Sequence, residues 1–165
     1  MRQIRGVAAV LRAVENATAV GLLAVICGVT AARVVCRFVL KAPLVWSDEL
    51  GTFSFVWFAL LGAAIGVREG AHMGVDALVR VLPPFQRVWL AIGTLLVIQL
   101  FLVCLLKFGL DLLIRIGDQQ SSGLQIQIFW VYLALPVSAV LMLVHSVPIL
   151  GSLVADSRGT DGRRA

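Results

Sequence analysis

Charge is what this sequence is short of. Asp, Glu, Lys and Arg make up 14% of its 165 residues, against about a quarter in soluble domains. Reactive side chains are scarcer still, with three cysteines, two histidines and one tyrosine. Cys27, Cys36 and Cys104 include no C-x-x-C pair, which argues against a membrane thiol oxidoreductase built on paired, exposed thiols. They read as small apolar fillers. No His/Cys/Asp/Glu group has the spacing of a metal site, and no glycine loop is placed to hold phosphate. The net charge of +5 would suggest nucleic acid in a soluble protein. With one tyrosine and no basic–aromatic interleaving, nucleic acid is excluded as a partner.

What fills the chain instead is apolar sequence, 60% of all residues. No Asp, Glu, Lys or Arg occurs between Glu15 and Arg33, Glu49 and Arg68, Arg87 and Lys107, or Asp118 and Asp156. A spanning helix needs roughly 17–25 mostly apolar residues, and each gap is long enough. Backbone polar groups in hydrocarbon must be satisfied within their own segment, so each span is read as a helix. The fold class is an all-α membrane protein, one four-helix domain over residues 1–165. The spans fall at about 16–38, 50–68, 88–111 and 125–150. The apolar run after Arg2 and Arg5 starts late and is long for a signal peptide, so it reads as a span and not a cleaved leader. Only short loops and tails remain, with no room for a soluble catalytic domain.

Four crossings put the N-tail, the middle loop and the C-tail on one side. That side carries Arg2, Arg5, Arg12, Arg68, Arg80, Arg87, Arg158, Arg163 and Arg164, against Arg33, Arg37, Lys41, Lys107 and Arg115 on the other. The positive-inside rule then predicts both termini in the cytoplasm.

Within the spans, small residues recur at Ala17, Gly21, Ala24, Gly28 and Ala31, a face that lets another helix approach closely. Packing inside the bundle is the reading favoured for it over a face for a partner protein. Arg33, Arg37 and Lys41 form a cationic ridge at the end of the first helix. Trp46 is placed as an interfacial anchor, Ser47 or Asp48 as a cap for the second helix, and Glu49 as a partner for Arg33 or Arg37. Gly62, Gly66, Gly70 and Gly74 repeat every fourth residue and predict a groove for a neighbouring helix or a lipid tail. Residues 69–82, with Arg68, His72 and Asp76 on one line and Val75, Leu78, Val79 and Leu82 on another, predict an amphipathic interfacial helix. Lys107, Asp111 and Arg115 form an i, i+4, i+8 ladder on a helix continuing to about Ile116. Pro136 is expected to kink the last span, with Ser138 satisfying a freed carbonyl. The tail over 155–165 reads as disordered.

A carrier site shows ionisable residues or broken helices near the midplane. Here only Thr94, Gln99, Pro136 and Ser138 interrupt it, so an accessory subunit is the simplest reading. Two alternatives remain: a redox subunit with haem between His72 and His145, and a self-sufficient small transporter.

Trp46, Asp48, Glu49 and Leu50 opening the second span, then Trp57, Gly62, Arg68, Gly70, His72 and Asp76, resemble the small membrane subunit of tripartite ATP-independent periplasmic (TRAP) transporters. The stretch LALPVSAVLML, the length and the four-span layout resemble it too. That family more often carries two glutamates after the tryptophan, so Asp48 departs from it, keeping charge while shortening reach. The resemblance implies a non-catalytic subunit of the bacterial inner membrane, without cofactor, packed against a large permease subunit. A periplasmic solute-binding protein would deliver the solute, commonly an organic anion, and an ion gradient, usually sodium, would drive uptake. The small-residue faces would be packing surfaces and the 68–82 segment a cytoplasmic brace, with membrane lipid around them.

Overall fold

A computed structural model of the chain describes residues 2–42, 44–69, 84–116 and 118–161. Its helices are α1 (Arg2–Phe38), α2 (Val45–Arg68), α3 (Pro84–Ile116), α4 (Phe129–Tyr132) and α5 (Ala134–Asp161). Four segments are long and apolar enough to cross a membrane: Ala9–Phe38, Val45–Arg68, Leu90–Ile116 and Phe129–Gly151. The all-helical fold class and the number of spans are as the charge-free gaps predict. The interfacial helix expected over 69–82 lies, Glu69 apart, outside the described residues.

The helices outrun the apolar segments that define them. α1 starts at Arg2, not near residue 16, because residues 2–15 contain no proline and are mostly good helix formers, with Ile4, Gly6, Val7, Val10 and Val14 the weaker ones. α3 opens on Pro84, whose missing N–H is one of those a helix start leaves unpaired, and it runs to Ile116 as expected. α5 continues to Asp161, through residues 155–161 that composition assigned to a disordered tail. α1 stops where Lys41 adopts a left-handed φ of 52° and Ala42 N–H returns to the Cys36 carbonyl at 3.1 Å, the closing pattern of a helix C-terminus with a non-glycine residue at the turn. α2 begins after an extended Leu44, which makes no side-chain cap bond. Ser47, expected as a cap, instead lies in the first turn and donates back to the Leu44 carbonyl at 2.6 Å.

The last span is interrupted next to Pro136: α4 ends at Tyr132, whose carbonyl a proline at 136 leaves without its donor, and α5 resumes at Ala134. Residues 125–128 are not helical, since Gln125 has a φ of 52° and Gln127 bridges to Gln120. Pro136 therefore sits in the first turn of α5, where proline is tolerated. Ser138 donates to the Leu135 carbonyl at 3.0 Å, not to the one Pro136 would free. The proline inside the helix is Pro148.

The spans pack in the order α1, α2, α5, α3. α5 is the centre: a third of its apolar segment is buried, against 6% for α1 and α3. Its inward face is a stripe of mostly small residues at Ala134, Ser138, Met142 and Ser146, one per turn, which permits close helix approach. Gly109 of α3 meets it where Leu135 and Pro136 pass; a Cβ there would lie 3.4 Å from the Leu135 Cβ. The apolar core is Ala64, Val67, Leu102 and Met142, with Ile98 and Leu105 against it.

α1 joins α2 through one seam. Its least exposed positions are Leu11, Glu15, Ala19, Leu22, Ile26, Val29, Arg33 and Cys36, and from Glu15 to Cys36 the steps alternate four and three as in antiparallel coiled-coil packing. The small-residue face expected inside the bundle is not there. Ala17, Gly21, Ala24, Gly28 and Ala31 are all exposed, because each lies two positions after a seam residue, about 200° around the helix at 3.6 residues per turn.

Candidate functional site: paired charges at the two ends of the helical row

At one end of the row, three helices meet on a single carboxylate. Glu15 of α1 is 3% exposed and takes Arg68 of α2 on one oxygen, with Nη1 at 2.7 Å from Oε2. Its other oxygen takes His145 of α5, with Nε2 at 2.7 Å from Oε1. An ionised carboxylate only accepts, so the hydrogen of that contact rests on Nε2. Arg68 uses its remaining donors on Asn16 Oδ1 at 3.0 Å and Glu69 Oε1 at 3.1 Å. The Arg68 and His145 side chains are 9% and 10% exposed. Glu15 and His145 both lie in helices long and apolar enough to cross a membrane. A buried charge is stable only when paired, and here it is shared among three helices.

The opposite end carries a second carboxylate. Glu49, in the first turns of α2, accepts the Gly123 N–H at 2.8 Å on Oε1 and the Leu124 N–H at 2.8 Å on Oε2, and takes the Ser121 hydroxyl as well. The α3–α4 loop shapes itself to receive it. Ile128 N–H binds the Gln119 carbonyl at 2.9 Å, Ser121 N–H the Ile126 carbonyl at 2.9 Å and Gln125 N–H the Ser121 carbonyl at 3.2 Å, closing a turn whose Gly123 and Leu124 amides face Glu49. Gly123 lets the loop come close: a Cβ there would lie 3.1 Å from the Glu49 carboxylate, which would have to shift by a few tenths of an ångström. Beside it, Asp48 forms an ion pair with Arg33 of α1, both well exposed.

The expected Glu49–arginine pair is thus not formed. One position earlier, Asp48 faces α1 and takes Arg33, while Glu49 is turned to the loop. Arg37 places its guanidinium 5.8 Å from the Phe38 ring. Trp57 donates from its indole N–H to the Trp130 carbonyl at 3.0 Å, joining α2 to α4, and Trp46 is exposed. Gly62 faces outward with open space around it, and Gly66 is half-buried. Gly70, His72, Gly74 and Asp76 lie outside the described residues. Among the described residues the Lys107–Asp111–Arg115 ladder makes no ion pair. At mid-depth, Gln99 of α3 donates to the Ser146 hydroxyl at 2.5 Å, which donates on to the Leu143 carbonyl.

Sequence reasoning passed over Glu15, Asn16 and the loop donors, and considered His145 only as a haem ligand. One signal for Glu15 was present: it extends the Ala19, Leu22, Ile26 seam by one turn, so a charge there must face a neighbouring helix. The loop amides carry no such mark, because any residue but proline supplies an N–H.

No described group of three or more His, Cys, Asp or Glu side chains could hold a metal ion, and no described buried side-chain N or O lacks a partner. His145 Nε2, a nitrogen that haem ligation would need, is engaged with Glu15. Fold and site together define a multi-pass helical membrane protein whose buried polar groups bind its own helices to one another. The family model for tripartite ATP-independent periplasmic transporters, DctQ component, matches residues 26–155, and the chain belongs to this family. It is a subunit of the inner membrane and not an enzyme. Among similar proteins, the C4-dicarboxylate TRAP transporter small permease protein DctQ of Rhodobacter capsulatus is 36% identical over 102 residues, 60% of this chain and 44% of that one. The sialic acid TRAP transporter small permease protein SiaQ of Vibrio cholerae is 23% identical over 145 residues, 88% of this chain and 84% of that one. The sialic acid TRAP transporter permease protein SiaT of Haemophilus influenzae is 30% identical over 130 residues, 76% of this chain and only 20% of that one. The chain thus spans less than half the length of two of these three relatives.

Proposed function

We propose that the chain scaffolds a large permease subunit of a TRAP-type secondary transporter, with both termini in the cytoplasm. Uptake would be driven by an ion gradient, usually sodium, with an organic anion handed over by a periplasmic binding protein. One observation carries the reading. Glu15, Arg68, Arg33, Asp48 and Glu49 are spent on helix–helix and helix–loop contacts, while α1 and α3 leave long apolar faces outward. Such a molecule offers surfaces for contact and no free ionisable group at mid-depth for a cargo. The match to a fifth of SiaT supports a larger membrane partner, since the rest of that polypeptide is additional chain of the same permease protein. The excess of arginine on the N-tail, middle loop and C-tail supports the orientation.

Purification in mild detergent from its native membrane should bring a large multi-span protein along. Reconstituted alone in vesicles, the chain should leave a solute gradient unchanged. Saturable, sodium-dependent accumulation by the lone chain would refute the scaffold role.

A further inference from the structure

The cationic ridge of α1 is only partly used by the packing. Arg33 pairs with Asp48, whereas Arg37 and Lys41 have no acidic partner among the described residues. Below them, between α1 and α2, lies an open groove of about 290 Å³. Ile26, Val29 and Phe55 form apolar walls, Gly51 leaves room between them, and Arg33 and Asp48 stand at its polar end. Arg37 continues the same helical face, since Ile26, Thr30, Arg33 and Arg37 follow steps of four, three and four.

We propose that this groove binds an anionic phospholipid, one acyl chain lying along Ile26, Val29 and Phe55 and the phosphate held by Arg37 beside Arg33. Charge complementarity is the first argument. The rim carries Arg33, Arg37 and Lys41 against Asp48 alone, because Glu49 is turned away to the loop amides. A guanidinium is the side chain best shaped for phosphate oxygens. Length is the second. From Ile26 to Arg37 the helix rises roughly 16 Å at 1.5 Å per residue, close to one leaflet of a hydrocarbon layer about 30 Å thick. An acyl chain in the groove therefore brings its headgroup to the level of Arg37. A partner helix seated there would have to supply acids at that same level, whereas an anionic lipid has its charge there already. The proposal requires only that the chain sits in a membrane and is independent of its orientation and of the scaffold role.

The full chain in mild detergent, titrated with phosphatidylglycerol and with phosphatidylethanolamine and followed by native mass spectrometry, tests it. The wild type should prefer phosphatidylglycerol. An unpaired basic residue near the membrane surface is worth about fivefold for an anionic headgroup, so Arg37→Gln should reduce the preference by about that factor. Gly51→Leu should abolish it by filling the groove. A Cβ at Gly51 meets nothing within 4 Å, so this variant should melt at the wild-type temperature. Equal binding of the two lipids by the wild type would overturn the proposal. So would an unchanged preference in both variants, or cross-links placing another polypeptide in the groove.

Discussion

Replacing Arg68 by methionine removes the guanidinium from the three-helix junction while keeping an unbranched side chain there. Glu15, 3% exposed, is then left with one hydrogen bond, from His145, and Asn16 loses its donor. Removing one partner of a buried ion pair costs about 3–5 kcal/mol, because the other charge stays buried without compensation. At about 2–4 °C of melting temperature per kcal/mol for a chain of this size, Arg68→Met should lower the midpoint by roughly 6–20 °C. The informative comparison is the double variant Glu15→Leu/Arg68→Met. It removes both charges and leaves His145 and the exposed Asn16 without their partners, hydrogen bonds worth about 1 kcal/mol each, so it should melt above Arg68→Met alone. Tryptophan fluorescence suits the measurement, since the chain has four tryptophans. A single variant within about 1 kcal/mol of wild type, the range of an exposed surface pair, would refute the reasoning. An additive double variant would refute it too, because additivity means the two residues do not act on each other.

Two further outcomes follow from the same structure. In Glu49→Gln only one of the two atoms meeting the Gly123 and Leu124 amides can accept, and the other is itself a donor. The loop contact should weaken by about 1–3 kcal/mol, seen as faster hydrogen exchange over residues 119–128, and unchanged protection there would contradict the loop assignment. Gly109→Leu should wedge α3 from α5, where a Cβ already meets Leu135 at 3.4 Å, and destabilise by about 1–3 kcal/mol. Gly62→Leu, which projects into open space, should leave the isolated chain within about 0.5 kcal/mol of wild type and weaken only assembly with a partner. A melting temperature equally lowered in both would show that the two faces have been misassigned.

The spans were legible because lipid imposes one strong rule on sequence, the exclusion of unpaired charge over about 30 Å. Helix ends were not, since a helix leaving the membrane is governed by propensity and caps, and no rule makes it stop at the interface. Which face packs was misread on α1 for a related reason. Small residues allow close approach, but they sit as readily on a surface awaiting another molecule, and only the 4–3 spacing from Glu15 to Cys36 marked the seam. Glu49 was expected to pair with Arg33 or Arg37, and Asp48 only to cap the helix. Adjacent residues on a helix point about 100° apart, so one reaches Arg33 and the other a loop more than 70 residues away in sequence. The loop's contribution is backbone, invisible in residue identity. The resemblance carried by Trp46, Asp48, Glu49, Trp57, Gly62 and Arg68 supplied the family, which neither periodicity nor composition could.

The two charged contacts of α1 also explain why its packing is unique. In hydrocarbon an apolar seam has little to fix its register, since lipid tails satisfy apolar side chains as well as a neighbouring helix does. Ala19, Leu22, Ile26 and Val29 could slide past α2 by a turn with modest loss. The pairs Glu15–Arg68 and Arg33–Asp48 prevent this. Between the first pair and the second, α1 advances 18 residues while α2 retreats 20, so both belong to a single antiparallel alignment. A slip of one turn moves a helix about 5.4 Å and breaks both at once. The two ion pairs therefore set the position of α1, and the apolar seam between them is left free of that duty. With α1 fixed in this way, its outward Ala17–Ala31 face is presented at a constant height and rotation, as the proposed scaffold role requires.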